Sequence, residues 1–290
     1  MRPLVLALVA LLLALPARAE TELKLATWNI AWLTTKPEGH PDLPRGVAGK
    51  RPEDLERLRG YAERLAADVV ALQEVDGRLV AARVFDNRVY DIHLTDETDT
   101  QRPGFAFRRT LHVTRNPDLV ALDLHPGARL SLRRGADITL ETPGGARLRL
   151  LSVHLNAGCR EDPIAGSNRP QCESLGRQLP VLAGWIAERR REGVAFAILG
   201  DLNRRIPADN RDDLMAALEA AAPLTRVTAG VSNPCWGGRR PFIDHILLGG
   251  AARGWLVPDS LRVLVYDERG PEWRERLSDH CPVSIRLRLP

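Results

Sequence analysis

Short runs of apolar residues recur along the whole chain, separated by turns or by segments with helical spacing of their apolar residues. Residues 22–30 alternate between apolar and polar side chains, which is the period of a half-buried strand. The same signals predict further strands at 68–75, 104–113, 119–124, 137–141, 147–156, 195–199, 242–250, 261–267 and 281–289. Apolar stripes predict helices at about 52–67, 172–191 and 211–222. With no repeat and no break in composition, the pattern predicts one domain with its strands in two sheets and its helices outside.

The first nineteen residues do not follow this pattern. Arg2 precedes an apolar run from Leu4 to Leu15, and Ala17-Arg18-Ala19 forms a small-x-small cleavage signal. These features predict a secretory signal peptide over residues 1–19, and the apolar run is too short to span a membrane comfortably. We therefore expect an exported chain, periplasmic or extracellular, with residues 20–290 as a single domain and no stable membrane insertion.

Composition fits a globular protein that is only mildly basic. Hydrophobic residues make up 44% of the chain, and the formal net charge of +4 falls by two when Arg2 and Arg18 leave with the leader. Lysine occurs only at positions 24, 36 and 50, so arginine carries nearly all of the positive charge. Arginine suits bidentate contacts with phosphate, although a codon bias toward arginine explains the same count.

The four cysteines are Cys159, Cys172, Cys235 and Cys281. An even number in an exported chain indicates disulfides, and four cysteines allow three connectivities. Cys159 and Cys172 flank one polar loop, which favours the pairs 159–172 and 235–281. A zinc site is the alternative, but no CxxC spacing supports it.

The stretch AFAILGDLNRR, residues 195–205, ends an apolar strand with two polar side chains. Residues two apart in an extended chain point the same way, so Asp201 and Asn203 would project together from the end of a core strand. The alternative is an ordinary turn in which the Asp or Asn side chain bonds to nearby backbone.

Polar residues of catalytic type lie near one end of six strand-like segments. They are Asn29; Glu74; His154 with Asn156; Asp201 with Asn203; Asp244; and Asp279 with His280. Any one of these alone is explained by a turn, a solvated strand end or a hydrogen-bonded core residue. Six such strand ends in one chain indicate a shared site.

Phosphodiester hydrolysis gives these side chains a common purpose. Glu74 and Asp279 supply carboxylates for Mg²⁺, with the Asn29 amide oxygen as a helper. Asp201 would orient or deprotonate the attacking water. Asn156, Asn203 and a protonated histidine would donate to the phosphate. Asp244 and His280 are candidates for a pair in which the aspartate orients and charges the imidazole.

The motifs TWN, LQEV, SVHL, GDLN, IDHI and SDHCPV, in this order, resemble those of the endonuclease/exonuclease/phosphatase superfamily, which includes deoxyribonuclease I-like nucleases. The resemblance runs from residue 27 to residue 283. It implies an α+β fold, a four-layer α/β/β/α sandwich of two mostly antiparallel sheets flanked by helices. It also implies cleavage of a phosphoester with a divalent cation, Mg²⁺ or alternatively Mn²⁺ or Ca²⁺.

Motif by motif, the resemblance assigns Asn29, Glu74 and Asp279 to the metal region. It places Asp201 and Asn203 at the water and phosphate, His154 at the phosphate or leaving group, and Asp244 behind His280. The place of Asn156 is Gln or Asn in some relatives. Two features depart from the family pattern. No separate Glu partner for His154 is identified, and no residue of 102–109 matches a site position. His245 should face away from Asp244 and be structural.

The arginine pairs 204–205 and 239–240 should lie at the rim of the site, where they would follow a nucleic-acid backbone. Arg204 is therefore assigned to substrate binding, and the protein is predicted to be a monomeric nuclease. One alternative is a sphingomyelinase, for which Trp236 is the one candidate membrane-docking residue. Another is an inositol-phosphate phosphatase with residues 129–134 as its substrate loop. A non-catalytic binding or toxin module on the same fold is the alternative of a different class.

Overall fold

The computed structural model describes residues 20–128 and 131–290, so the predicted leader lies outside the described residues. This part of the chain contains twelve strands in two six-stranded sheets. The strands are β1 Thr21–Leu33, β2 Val69–Val75, β3 Tyr90–Leu94, β4 Arg102–Arg108, β5 His112–Arg115, β6 Ala136–Glu141, β7 Arg147–His154, β8 Ala195–Asp201, β9 Leu224–Arg226, β10 Asp244–Gly249, β11 Arg262–Val263 and β12 Val283–Leu289. The helices are α1 Pro52–Leu65, α2 Arg78–Val84, α3 Pro170–Glu192, α4 Asp213–Glu219, α5 Ala252–Trp255 and α6 Glu272–Arg276.

The two sheets have similar topologies. The first has the strand order β11-β12-β1-β2-β4-β3 and the second β5-β6-β7-β8-β10-β9. Each sheet contains one parallel pair, β1 with β2 and β7 with β8, and its other pairs are antiparallel. The carboxyl ends of β1 and β2 therefore lie at one edge of the first sheet, and those of β7 and β8 lie at one edge of the second.

Helices cover the outer face of each sheet. Leu55 and Leu58 of α1 belong to one buried cluster with Trp28 and Leu72 of the first sheet. On the second sheet, the apolar face of α3 joins α4 and strands β7 and β8 in another cluster. A third cluster lies between the sheets and contains Leu25, Phe105 and Leu199. These layers confirm the predicted four-layer α/β/β/α sandwich.

Polar side chains also bridge the inner faces of the two sheets, just below the edge where the parallel pairs end. Gln73 of β2 donates to the hydroxyl of Ser152 of β7 at 3.0 Å, and that hydroxyl donates to the carbonyl of Leu72 at 3.0 Å. These buried groups are satisfied across the interface, so they favour one register of one sheet on the other.

Three strand predictions were wrong in part. Residues 119–124 contain a short 3₁₀ turn, Val120–Leu122, whose Leu122 is buried under α3. Only Arg262–Val263 of segment 261–267 pairs as a strand, since the following residues leave the sheet edge toward Tyr266. The predicted strand 104–113 is two strands, β4 and β5, which belong to different sheets. A short apolar run has no periodicity that separates these cases.

Both predicted disulfides are present, Cys159–Cys172 and Cys235–Cys281. The first fastens the loop after β7 to the beginning of α3. The second ties the 3₁₀ turn Cys235–Gly237 to the residue that follows His280. None of the helices in the described part of the chain is long and apolar enough to cross a membrane.

Gly200 tests how tightly β8 is held. Its φ is +148°, and an added Cβ would lie 2.0 Å from the carbonyl oxygen of Val153. We expect Gly200→Ala to lower the free energy of unfolding by roughly 2–4 kcal/mol, measured by urea denaturation. Gly184→Ala in α3 is the control, since nothing lies within 4 Å of its Cβ. It should gain about 0.5–1 kcal/mol. Equal stabilities for the two variants would contradict the packing described.

Candidate active site

Three of the predicted site residues lie side by side at one end of the second sheet. Across the parallel pair β7–β8, His154 is opposite Asp201. Across the antiparallel pair β8–β10, Asp244 is opposite the same Asp201. Asp201 therefore occupies the middle of this row, and its side chain is buried.

The first sheet contributes Asn29 and Glu74 through an irregular end of the β1–β2 pair. The register shifts between Asn29 and Leu33. Ala31, Trp32 and Glu74 have positive φ angles of 40°, 54° and 61°. In this conformation the Trp32 N–H donates to the Glu74 carboxylate at 3.0 Å. Backbone conformations of this kind are costly for residues other than glycine and are concentrated at functional sites.

The Asn29 side chain joins the two sheets at this edge. Its Nδ2 donates to Glu74 Oε1 at 3.0 Å and to Asp201 Oδ2 at 3.2 Å. Its Oδ1 accepts the backbone N–H of Ala31 at 2.9 Å, which fixes the orientation of the amide. In this arrangement Asn29 positions both carboxylates.

His280 reaches the row from the turn before β12. Its Nδ1 donates to Asp244 at 2.8 Å and 3.0 Å. Its Nε2 lies 3.8 Å from Asp201 Oδ2 and 3.8 Å from Asp279 Oδ1. Burial disfavours the charged imidazole, but Asp244 and Asp201 outweigh it and raise the pKa of His280 well above its usual value. His280 is therefore an imidazolium at neutral pH, oriented by Asp244.

The same surroundings raise the pKa of Asp201 to about 6. Burial is the main cause, the charge of His280 opposes it, and Asp244 adds to it. A carboxylate with a pKa near the working pH is suited to accept a proton from water.

His154 is almost completely buried beside the two carboxylates. Its Nε2 lies 3.8 Å from Glu74 Oε1 and 3.8 Å from Asp201 Oδ2, beyond hydrogen-bond distance. Its Nδ1 is buried and has no hydrogen-bond partner among the described residues. Burial and the charge of Arg133 lower the pKa of His154, so the neutral ring is favoured. The structure thus assigns the charged histidine role to His280.

The carboxylates on the Glu74 side fit a hard divalent cation. Burial opposes ionisation of Glu74, but hydrogen bonds from Asn29 and Gln101 and the charge of His280 lower its pKa. The Asp279 side chain is 61% exposed and open to the solvent. His280 donates its Nδ1–H to Asp244 and not to Glu74 or Asp279. Carboxylate oxygens with room for water are the ligands that Mg²⁺ prefers.

Asp201, Asp244 and His280 have their possible ligand atoms within 4.8 Å of one another. A histidine binds a metal through an unprotonated nitrogen. The imidazolium of His280 already supplies a positive charge between these two aspartates. This trio is therefore better described as an ion-paired group than as a metal site.

Asp201 and Asn203 do not continue as an extended strand. Asn203 has a φ of 51°, and its N–H donates to Asp201 Oδ1 at 2.8 Å. The turn considered as the alternative is thus the one found. The Asn203 amide donates to the carbonyl of Leu155 at 3.0 Å, which holds the loop after β7 against the end of β8.

Two residues predicted to contact the substrate, Arg204 and Asn156, instead use their side chains in contacts within the protein. The Arg204 side chain is only 4% exposed, forms an ion pair with Asp212 at 2.7 Å and donates to the carbonyl of Cys159 at 2.9 Å. The expectation of a rim position for Arg204 is therefore wrong, because the chain turns at Asn203 and directs Arg204 inward. The Asn156 amide donates to the backbone of Ala157 and Gln171, at the beginning of α3.

Three residues near the site were missed by the sequence analysis. Gln101, just before β4, hydrogen-bonds to Glu74, and the charge of Arg133 acts on His154. Lys50 is buried and donates to the carbonyl of Glu275 at 2.7 Å. Burial lowers its pKa to about 8, although the charge of Glu74 acts in the opposite direction. The one sequence signal that pointed to Lys50 was its position near the end of the polar loop 34–51, which follows the first strand.

His245 was predicted to be structural, and its contacts fit that role. It lies in β10 with its ring on the side away from Asp244. Its Nδ1 is 2.6 Å from the hydroxyl of Thr228, and its Nε2 is 2.9 Å from the carbonyl oxygen of Arg204. Burial lowers the pKa of His245 to about 4.

A four-layer sandwich with acids, amides and imidazoles at one edge of both sheets is typical of phosphoester hydrolases. Residues 26–280 match the model of the Endonuclease/Exonuclease/phosphatase family. The chain belongs to this family, whose members are phosphoesterase and nuclease hydrolases and are generally dependent on divalent metals. The comparison with curated protein sequences found no significant match.

Solved structures share the fold at low sequence identity. Truncated TDP2 from Caenorhabditis elegans is 15% identical, with a TM-score of 0.55 over 92% of this chain and 98% of that one. TDP2 from D. rerio, complexed with single-strand DNA product, is 18% identical, with a TM-score of 0.56 over 92% and 98%. A variant of the 3′ phosphatase NExo from Neisseria, bound to a product DNA hairpin, is 16% identical, with a TM-score of 0.57 over 91% and 98%.

The lowered pKa of His245 gives a pH dependence of stability. Below its ordinary pKa of about 6.5 the unfolded chain binds a proton there that the folded chain does not bind until about pH 4. The neutral, buried His245 therefore contributes its full share to the free energy of unfolding above pH 6.5, and this share is lost as the pH falls toward 4. Between pH 7 and pH 5 it amounts to about 2 kcal/mol. We expect His245→Gln to remove that share of the difference in urea-unfolding free energy between the two pH values. An unchanged difference would contradict the burial described.

Proposed function

We propose that this chain is an exported, divalent-cation-dependent nuclease that hydrolyses phosphodiester bonds of nucleic acids. The observation that carries the proposal is the row His154–Asp201–Asp244, with the His280 imidazolium held against it and Asn29 linking it to Glu74. The site thus brings together a possible general base, Asp201, the positively charged imidazolium of His280 and the carboxylate of Glu74. Hydrolysis of a phosphoester requires that combination.

Each side chain takes one part of the reaction. Asp201 accepts the proton of the attacking water, because its pKa of about 6 leaves it ionised but basic near neutral pH. The His280 imidazolium, kept in place by Asp244, stabilises the negative charge that grows on the phosphoryl oxygens. Asn203 is assigned to the phosphate, and His154 to the phosphate or the departing oxygen.

Glu74 would hold the divalent cation, with Asp279 and Asn29 beside it. When bound, Mg²⁺ polarises the phosphoryl oxygens and offsets the charge of the carboxylates. The chain's own contribution is to keep Glu74 ionised and fixed, through the amides of Asn29 and Gln101 and the N–H of Trp32. Mn²⁺ or Ca²⁺ would use the same oxygen ligands.

Nucleic acid is favoured over other phosphoesters by two findings. Both TDP2 from D. rerio and NExo from Neisseria, which share the fold, are in structures with DNA product. Trp236, the candidate membrane-docking residue of a sphingomyelinase, is packed inward: its Nε1 donates to the carbonyl of Ser278 at 3.0 Å, and its ring stacks on Tyr266. The phosphatase alternative relied on residues 129–134, of which Arg129 and Leu130 lie outside the described residues.

Export is part of the proposal. The leader pattern of residues 1–19 and the two disulfides support it, since disulfides persist in oxidising compartments. Mass spectrometry of the mature protein from a bacterial host should give a chain that begins at Glu20. A chain that keeps Met1 or its neighbours would contradict the assignment of the leader.

The activity is tested on a plasmid and on a labelled oligonucleotide, with Mg²⁺ and with EDTA. We expect cleavage with Mg²⁺ and none with EDTA. Asp201→Asn should lower kcat by roughly a hundredfold or more, since it removes the base without changing its size. The matched control is Asp209→Asn, on an exposed loop, which should keep the wild-type rate. Release of phosphocholine or inorganic phosphate without any nucleic-acid cleavage would contradict the nuclease assignment, and wild-type rates for Asp201→Asn would contradict the catalytic one.

A further inference from the structure

A cavity of about 510 Å³ opens directly beside His280 and Asp244. Five arginines line it: Arg160, Arg205, Arg239, Arg240 and Arg274. They come from the loops after β7 and β8, from the loop before β10 and from α6. Segments distant in sequence thus place their guanidinium groups around one space that is continuous with the candidate catalytic centre.

The loop that carries Arg239 and Arg240, residues 232–241, is fixed rather than free. Ser232 and Pro241 form an isolated bridge at its base, and the N–H of Asn233 donates to the carbonyl of Arg240 at 3.0 Å. The disulfide from Cys235 fastens it beside His280. The two arginines are therefore held near the cavity by a covalent bond to the same turn that carries the imidazolium.

Most of these arginines are available to an anion. Within residues 20–128 and 131–290, Arg160, Arg239, Arg240 and Arg274 form no ion pair with a carboxylate. Arg205 pairs with Glu161 at 2.7 Å, an exposed partner at the rim. Arg274 lies over the ring of Trp236, 5.8 Å from its centroid, which holds the guanidinium near the cavity without neutralising it.

The opposite side of the site has a different charge. A cavity of about 350 Å³ beside Trp32 and Gln101 is lined by Asp42 and Asp99, and Arg133 is the one arginine among its lining residues within 20–128 and 131–290. Among the described lining residues, arginine is thus more frequent on the His280 side than on the Gln101 side.

We infer that the arginine-lined cavity binds the phosphate next to the scissile one on the same strand of a nucleic acid. This inference rests on the proposed function, because it takes the scissile phosphate to lie at Asp201 and His280. The cavity has room for a nucleotide unit rather than for a bare phosphate, and guanidinium groups are the side chains best matched to phosphate oxygens. The enzyme then requires a substrate that continues past the cleaved bond on the His280 side.

The test measures binding in EDTA, so that no cleavage occurs. A fluorescently labelled single-stranded 12-mer is titrated with wild type and with the triple variant R239A/R240A/R274A, and anisotropy is followed at several salt concentrations. We expect the variant to bind at least about 30-fold more weakly. Its plot of log affinity against log salt should be shallower by roughly 0.7, because the cavity holds one phosphate and the loss of one phosphate contact on a single strand removes about that much from the slope.

Two controls separate the cavity from general charge. R147A/R190A/R191A removes three arginines at the opposite end of the second sheet, where β7 begins and α3 ends. It should bind within about threefold of wild type. R239K/R240K/R274K keeps the charges and should restore the wild-type salt slope, because the slope counts charges and not guanidinium geometry.

Three results would overturn the inference. They are wild-type affinity in R239A/R240A/R274A, an equal loss in the control at the opposite end, and equal affinity of the wild type for the 12-mer and for a mononucleotide. Hydrolysis by the wild type with Mg²⁺ is measured in parallel. Its absence would count against the proposed function alone, because the binding comparison in EDTA stands without it.

Discussion

One amide links the two halves of the candidate active site. Asn29 lies in the first sheet and donates both to Glu74 beside it and to Asp201 in the second sheet. These bonds are formed only if the strand ends of the two sheets lie at the same edge and in register. The apolar layer between the sheets and the bridge from Gln73 to Ser152 provide that register. The positions of these candidate catalytic groups are therefore a consequence of sheet-on-sheet packing.

Charge is the second constraint on this edge. Asp201 and Asp244 are buried next to each other, which is costly unless a cation compensates for them. The His280 imidazolium does so, and the two carboxylates in turn raise the pKa of His280. Burial raises the pKa of Asp201 to about 6, although the charge of His280 opposes this shift. Glu74 and Asp279 are left with their own need for positive charge. The ion-paired group of Asp201, Asp244 and His280 is thus electrostatically distinct from Glu74, whose carboxylate is held by Asn29 and by the N–H of Trp32.

Much of this arrangement could be predicted from the sequence. Strand periodicity, followed by polar residues at strand ends, predicted Asn29, Glu74 and Asp201, because these side chains extend directly from core strands. His280 was also among the predicted residues, although it lies in the turn before β12. Arg204 was misplaced because the left-handed turn at Asn203 reverses the direction of the side chains that follow. Gln101, Arg133 and Lys50 were missed because they reach the site from loops, whose paths depend on tertiary contacts rather than on local pattern.

The position of the metal decides the account most directly. Crystals soaked with Mn²⁺ in place of Mg²⁺ would give an anomalous signal at the ion. We predict a peak bound to a Glu74 carboxylate oxygen, at roughly 2.0–2.3 Å, with Asp279 on the same side and the His280–Asp244 hydrogen bonds intact. A peak between Asp201 and Asp244, with the His280 imidazole as its ligand, would contradict the assignment of that trio to proton transfer and to stabilisation of the phosphoryl charge.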